Sequence, residues 1–254
     1  MKMADLPTQF EERVRPDIIK RAFLSIKSKK RQPYGSDPEA GNKHVTYWKK
    51  RNNAYRGQKG RGQSRTPRKI MLRRGSQIFG RGAESPNTKG GRRAHGPKPE
   101  KEFDEEINDK ERRKAIRSAI TATADQELVS EKHAYNGEVP IIEDGVETVE
   151  KTQELKEVLE DLGLEKELER CSEKKVRAGK GKNRGRKYRR KTGPLVVIAE
   201  NEGAAQAANN LAGVDVSLVN QLNAEKLAPG SKPGRLVVWS EKAVEKLKDE
   251  ELYR

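Results

Sequence analysis

The residue types that carry covalent or metal chemistry are few and badly spaced in this 254-residue chain. Its one cysteine, Cys171, ends an acidic stretch, and His44, His95 and His133 lie far apart. A nucleophile needs a base at close spacing and a structural zinc needs paired Cys/His ligands, and neither pattern occurs. The expectation is a buried or half-buried thiol, surface histidines, no catalytic residue and no metal. A single cysteine also permits no intramolecular disulfide, which fits a reducing, cytosolic setting.

Phosphate-cradling glycine motifs fail on inspection. Gly75 to Gly82 (GSQIFGRG) lacks the Lys and the Ser/Thr that a P-loop uses for phosphate and Mg²⁺. Gly60-Arg61-Gly62 has Arg65 where a third glycine should stand, and Gly179-x-Gly181 is followed by Gly185 one position late. No nucleotide cofactor, and no other cofactor, is expected. The acids between Glu154 and Glu169 are interleaved with Lys, the pattern of a solvated helix face.

The chemistry this sequence does offer is cationic. Lys and Arg number 55 against 39 acids, a net +16. Residues 41–100 hold 17 Lys/Arg and only Glu84 and Glu100 as acids, and residues 174–191 hold 11 Lys/Arg and no acid, so the rest of the chain carries a net −10. A mildly acidic body with two strongly basic insertions points to a polyanionic partner. In the first insertion Tyr47, Trp48, Tyr55 and Phe79 alternate with cations. Arg supplies a planar fork for phosphates, aromatic rings stack on splayed bases, and glycine lets backbone approach RNA, a mix suited to irregular folded RNA. The candidate RNA-binding residues there are Trp48, Arg51, Tyr55, Arg56, Lys59, Arg61, Arg65, Arg68, Lys69, Arg73, Arg74, Arg81, Lys89, Arg92, Arg93 and His95. In the second (KKVRAGKGKNRGRKYRRK) they are Lys180, Lys182, Arg184, Arg186, Lys187, Arg189 and Arg190, with Tyr188 available to stack. Both insertions are expected to be disordered when free and ordered by RNA.

Something must hold these cations in place. Residues 41–100 contain 10 of the 22 glycines and four of the 12 prolines, with no lasting helical or alternating pattern, and read as an extended loop. It could span on the order of 90 Å if fully extended as a hairpin. On either side, residues 11–30 and 104–124 read as amphipathic helices, able to form a neck for the loop. Val139–Ile142 is a weak strand candidate, and residues 148–170 form two helical pieces split at Gly163. From Pro194 onward, LVVIA, VDVSLV and LVVW alternate with helices near 204–211, 224–227 and 241–252. That rhythm gives an α/β fold, a mostly parallel sheet flanked by helices in a Rossmann-like body, with a long basic RNA-binding loop. The expected domains are a body of 1–40 and 101–254, carrying the insertion 174–191, and the loop 41–100. No apolar run approaches the roughly 20 residues of a membrane helix, and MKMADLPTQF lacks a signal-peptide core.

Several strings resemble the archaeal and eukaryotic form of the ribosomal large-subunit protein four family. These are Leu6-Pro7, Val14-Arg15-Pro16-Asp17-Ile18-Ile19, Arg31-Gln32-Pro33-Tyr34-Gly35, Arg65-Thr66-Pro67-Arg68 and Gly90-Gly91-Arg92-Arg93-Ala94-His95. The resemblance covers nearly the whole chain. It implies a non-enzymatic, structural role in the large ribosomal subunit in the cytoplasm, with large-subunit ribosomal RNA and neighbouring ribosomal proteins as partners and no membrane. It further implies that the loop threads through ribosomal RNA, that its tip helps line the peptide exit tunnel, and that the protein supports subunit assembly. By position the tip falls within Arg61–Arg74. Tyr47–Arg56 departs from the family's Gly-rich Ser-Trp-Gly stretch, and Gly96 stands where the family commonly has Pro. Without the resemblance, a free RNA- or DNA-binding protein is the alternative. An α/β enzyme recruiting RNA ranks below it, because the turn after Ala199 (Glu200-Asn201-Glu202-Gly203) is acidic and repels phosphate.

Overall fold

The structure is a computed structural model that describes residues 6–47, 51–55, 57–60, 62–75 and 77–253. The backbone gathers into two compact units, one of Arg31–Phe103 and one of the chain up to Lys30 together with the chain from Asp104 onward.

The Arg31–Phe103 unit holds strands β1 (Thr46–Tyr47), β2 (Arg68–Arg74) and β3 (Gln77–Gly82) in one antiparallel sheet, ordered β1-β2-β3. The stretch that reads as patternless in sequence therefore contains a ribbon. A bulge in β2 between Ile70 and Leu72 makes Met71 an extra residue, so Ile70-Met71-Leu72 runs as consecutive apolar positions instead of alternating. The ribbon turns between the paired Arg74 and Gln77, and Gly75 takes a left-handed φ of 56° there.

In the larger unit, α1 (Pro16–Lys29) starts with Pro at its first turn and Asp17 beside it, and ends with Lys27 and Lys29, matching the helix dipole at both ends. It is followed by α2 (Asp109–Ala124), α3 (Gln126–Ser130), β4 (Ile141–Ile142), α4 (Thr152–Asp161) and α5 (Glu165–Ser172). The basic insertion forms β5 (Lys175–Val176) and β6 (Tyr188–Arg189). Then come β7 (Leu195–Ile198), α6 (Ala204–Ala208), β8 (Asp215–Leu218), α7 (Ala224–Leu227), β9 (Val237–Ser240) and α8 (Glu241–Asp249). Helix α3 is absent from the sequence reading; Asp125 creates it by accepting from the backbone N–H groups of Glu127 and Leu128.

Strands β4, β9, β7 and β8 lie side by side in that order, all parallel. Every residue of β7 and β9 is buried, and strand alternation divides them between two faces. Leu195, Val197, Val237 and Trp239 pack with Ile19, Ile116, Ile120, Leu227, Val244 and Leu247. Val196, Ile198 and Val238 pack with Leu155, Leu159, Leu164, Ala204 and Ala207. The result is a helix–sheet–helix sandwich, with Phe10 meeting Trp239 edge-on at 5.4 Å between ring centroids.

Candidate nucleic-acid interface

In the β2–β3 ribbon, Lys69 stands directly opposite Arg81, with no acid between them. Like charges facing each other across a ladder destabilise it, so a polyanion laid along this face would relieve the repulsion. The same arrangement recurs in the β5–β6 ribbon, where Lys175 faces Arg189. Beyond the bulge, Leu72 faces Phe79, and both are exposed. An apolar pair flanked by the exposed Arg73 and Arg74 suits contact with base or ribose faces beside phosphates.

Arg51, Lys59, Arg73, Arg74, Arg81, Lys89, Arg92, Arg93 and His95 are exposed, and none is in an ion pair among the described residues. Tyr55 and Arg65 are exposed but hold contacts within the chain. Lys69 is half-buried. Arg68 is committed internally, its guanidinium donating to the carbonyl of Gly80 at 3.2 Å and to the hydroxyl of Ser64 at 2.9 Å. It fixes the ribbon's geometry. Trp48, Arg56 and Arg61 lie outside the described residues. The second ribbon exposes Lys180, Lys182, Arg184, Arg186, Lys187, Arg189 and Arg190 around the turn at Gly185, with Lys174 and Lys187 within 6 Å of the exposed Tyr188 ring.

The base of the second ribbon is held by a buried polar cluster that sequence spacing hid. His133 is buried against Glu167, with Nδ1 at 2.6 Å from the carboxylate, which corrects its reading as a surface histidine. The pair lies 34 residues apart in sequence and meets only because α5 packs on the turn after α3. The Glu167 carboxylate also accepts from Arg170 at 2.6 Å and from the backbone N–H of Ala134 at 2.9 Å. Burial pushes its pKa up, but the hydrogen bonds from Arg170, His133 and Ala134 outweigh burial and bring it down to about 2. Arg170 in turn donates to the carbonyl of Thr192, where the insertion rejoins the body. Cys171 is fully buried beside this cluster; burial, reinforced by the Glu167 charge, pushes its thiol up to about 11. A buried protonated thiol is no nucleophile at neutral pH.

The parallel sheet has a crevice of its own to account for. Open α/β sheets bind ligands beyond the carboxyl ends of their strands, where the strand order reverses, which here is between β7 and β9. That position is filled by Glu147, 2 % exposed, which accepts from the backbone N–H groups of Ala199 at 2.8 Å and Glu200 at 3.3 Å and from the Ser240 hydroxyl at 2.6 Å. The donors a nucleotide phosphate would use are taken by the chain's own carboxylate. Among the described residues no cluster of His, Cys, Asp and Glu is arranged to hold a metal ion, and no helix is long and apolar enough to cross a membrane.

An aromatic group missed in the sequence reading lies at the two ends of the smaller unit. Tyr34 and Phe103 stack at 5.8 Å between centroids with 17° between their planes, and the Arg31 guanidinium sits 4.0 Å from the Phe103 centroid. The cationic and aromatic signals were in the string Arg31-Gln32-Pro33-Tyr34, but their partner is 69 residues on.

Comparison with known proteins adds an independent line. The model of the ribosomal protein L4/L1 family matches residues 4–250. The large ribosomal subunit protein uL4 of Nanoarchaeum equitans is 48% identical over 251 residues, covering 98% of this chain and 94% of that protein. Its counterparts from Archaeoglobus fulgidus, 45% identical over 247 residues, and Halobacterium salinarum, 44% identical over 248, each align with 96% of this chain and 92% of their own length.

Proposed function

Since the chain belongs to the ribosomal protein L4/L1 family, we propose that it is a structural, non-enzymatic constituent of the large ribosomal subunit that binds large-subunit ribosomal RNA. The Rossmann-like body is the scaffold, and the basic segments 41–100 and 174–191 are the RNA-binding parts. The loop 41–100 helps to line the peptide exit tunnel and supports subunit assembly. The protein works in the cytoplasm, within the subunit, against ribosomal RNA and neighbouring ribosomal proteins.

The observation that carries this reading is the pair of acid-free ribbons with directly opposed cations, Lys69 against Arg81 and Lys175 against Arg189. Each ribbon is held in a self-repelling arrangement that phosphate neutralises. Loop cations then fix RNA segments that would otherwise repel one another, while the exposed Leu72, Phe79 and Tyr188 offer surfaces to bases and sugars.

Crosslinking the protein to RNA in its own cells, then sequencing the attached fragments and mapping the crosslinked peptides, tests the proposal. The expected result is large-subunit ribosomal RNA near the exit tunnel, attached through residues 41–100. Fragments scattered over messenger RNA, or DNA in place of RNA, would replace it with a free nucleic-acid binder.

A further inference from the structure

Tyr34 and the return segment of residues 93–103 line an open cleft of about 650 Å³. Their approach is close enough to require glycine on each side. A Cβ on Gly35 would meet the Pro99 ring at 2.6 Å, a Cβ on Gly96 would meet the Ser36 hydroxyl at 2.7 Å, and the Ser36 N–H donates to the Pro97 carbonyl at 3.2 Å. The two segments are thus packed backbone to backbone beside the cleft, whose volume lies within the range of roughly 300–1,000 Å³ typical of small-molecule sites.

The lining divides into two kinds. Tyr34 and Phe103 form the stacked aromatic wall, and half of Tyr34's surface remains open. Arg93, His95, Lys98 and Lys101 supply donors and positive charge, with Glu100 the one acid among the lining residues. None of these four side chains is in an ion pair or donates a hydrogen bond among the described residues, although Lys101 lies 5.2 Å from the Phe103 centroid. Unpaired cations beside a half-exposed aromatic ring match the two halves of a nucleotide, whose base stacks and whose phosphate needs neutralising. A duplex hides its base faces, so the ligand that fits is unpaired.

We infer that this cleft is a binding site for one unstacked nucleotide of single-stranded RNA, with the base on Tyr34 and the phosphate between Arg93 and Lys98. Arg31 braces both rings, its guanidinium 4.0 Å from the Phe103 centroid and 5.3 Å from the Tyr34 centroid, and it donates to the Tyr34 hydroxyl at 3.4 Å. The inference rests on the RNA-binding reading above and extends it to a site on the smaller unit whose lining includes no ribbon residue.

The test uses the full chain and a ten-nucleotide single-stranded RNA carrying 4-thiouridine, irradiated and mapped by mass spectrometry, alongside binding of a large-subunit ribosomal RNA transcript. The wild-type chain should crosslink through peptides containing Tyr34 or Phe103. Tyr34→Ala should remove that crosslink and weaken oligonucleotide binding about tenfold, and Tyr34→Trp, which keeps a stacking face, should restore both. Arg93→Gln and Lys98→Gln should each lower the slope of log affinity against log salt by about 0.7, the value per phosphate contact on single strands. Crosslinks confined to the two ribbons, equal loss in Tyr34→Ala and Tyr34→Trp, or an equal crosslink from a blunt duplex would each overturn the site while transcript binding persists. Displacement of the crosslink by polyglutamate at the same charge concentration would assign the cleft to an acidic protein segment and overturn it likewise. Failure of the transcript itself to bind would sink the RNA reading as a whole, a distinguishable result.

Discussion

The carboxylate of Glu147 lies 2.6 Å from the hydroxyl of Ser240, across the carboxyl ends of the two central strands. Ser240 uses the same oxygen to cap α8, accepting from the N–H of Ala243 at 3.1 Å. One buried carboxylate thus ties the end of β7, the end of β9 and the start of α8 together. In open α/β sheets that bind nucleotides, that space belongs to the ligand. Here the chain closes it with its own side chain, which leaves that end of the sheet without free donors for a phosphate.

Glu147→Ala should therefore destabilise the body by about 3 kcal/mol, because two backbone N–H groups and a hydroxyl lose their acceptor in a dry site. Urea unfolding followed by circular dichroism measures it. Calorimetric titration of the wild-type chain with ATP or NAD should give no binding heat, and submillimolar binding of either would contradict a filled crevice.

Acid should weaken the anchor of the second ribbon. The Glu167 carboxyl ionises at about 2 in the folded chain against an ordinary 4.5. Its contribution, about 3 kcal/mol, is complete above pH 4.5 and is lost as pH falls toward 2. Unfolding free energy measured across that window should fall more steeply for the wild type than for Glu167→Gln, which has no carboxylate to protonate. Parallel curves would mean that the cluster contributes nothing through its charge.

Cys171 offers a simple check on the same region. With its thiol buried and raised to about 11, the native chain should react with a thiol-specific disulfide reagent at pH 8 only as fast as it unfolds, and fully in urea. Rapid labelling of the native chain would show the cluster to be open.

The sequence was most legible where a single local pattern decides the structure. LVVI and VVWS are continuous apolar runs because both faces of β7 and β9 are covered, and they read as central parallel strands without further help. The β2–β3 ribbon escaped for a local reason, since the bulge at Met71 breaks the alternation that announces a strand. The His133–Glu167 pair, the Glu147 plug and the Tyr34–Phe103 stack escaped for a different one: each joins residues that only tertiary packing brings together. Arg235 shows the same limit in reverse. It looks like one more surface cation, yet it is 2 % exposed and donates to Asp215, to the Gly193 carbonyl at 3.0 Å and to the Lys226 carbonyl at 2.8 Å. Summed charge located the basic segments but could not separate such structural arginines from those left for a partner.

The opposed cations of the first ribbon make a prediction with two signs. Lys69→Glu converts a repulsive cross-strand pair with Arg81 into an attractive one, worth about 0.2–1 kcal/mol to the ribbon. Amide exchange at Ile70 and Phe79 should slow in the free chain, while affinity for large-subunit ribosomal RNA should fall about tenfold, since a phosphate-facing cation has become an anion. If stability and affinity moved in the same direction, the ribbon would not be a phosphate-binding surface.

Deleting residues 57–80 tests whether the two units divide labour as their contents suggest. The buried apolar clusters of the larger unit draw no residue from 31–103, so their packing does not depend on the ribbon. The shortened chain should keep the helical signal and thermal midpoint of the larger unit within a few degrees. It should also keep a weakened affinity for ribosomal RNA through the 174–191 ribbon, with a shallower salt dependence because cations have been removed. Loss of cooperative unfolding in the deletion would show that the smaller unit stabilises the body, and unchanged affinity would show that the RNA contacts lie elsewhere; either result would break the division between scaffold and binding loop.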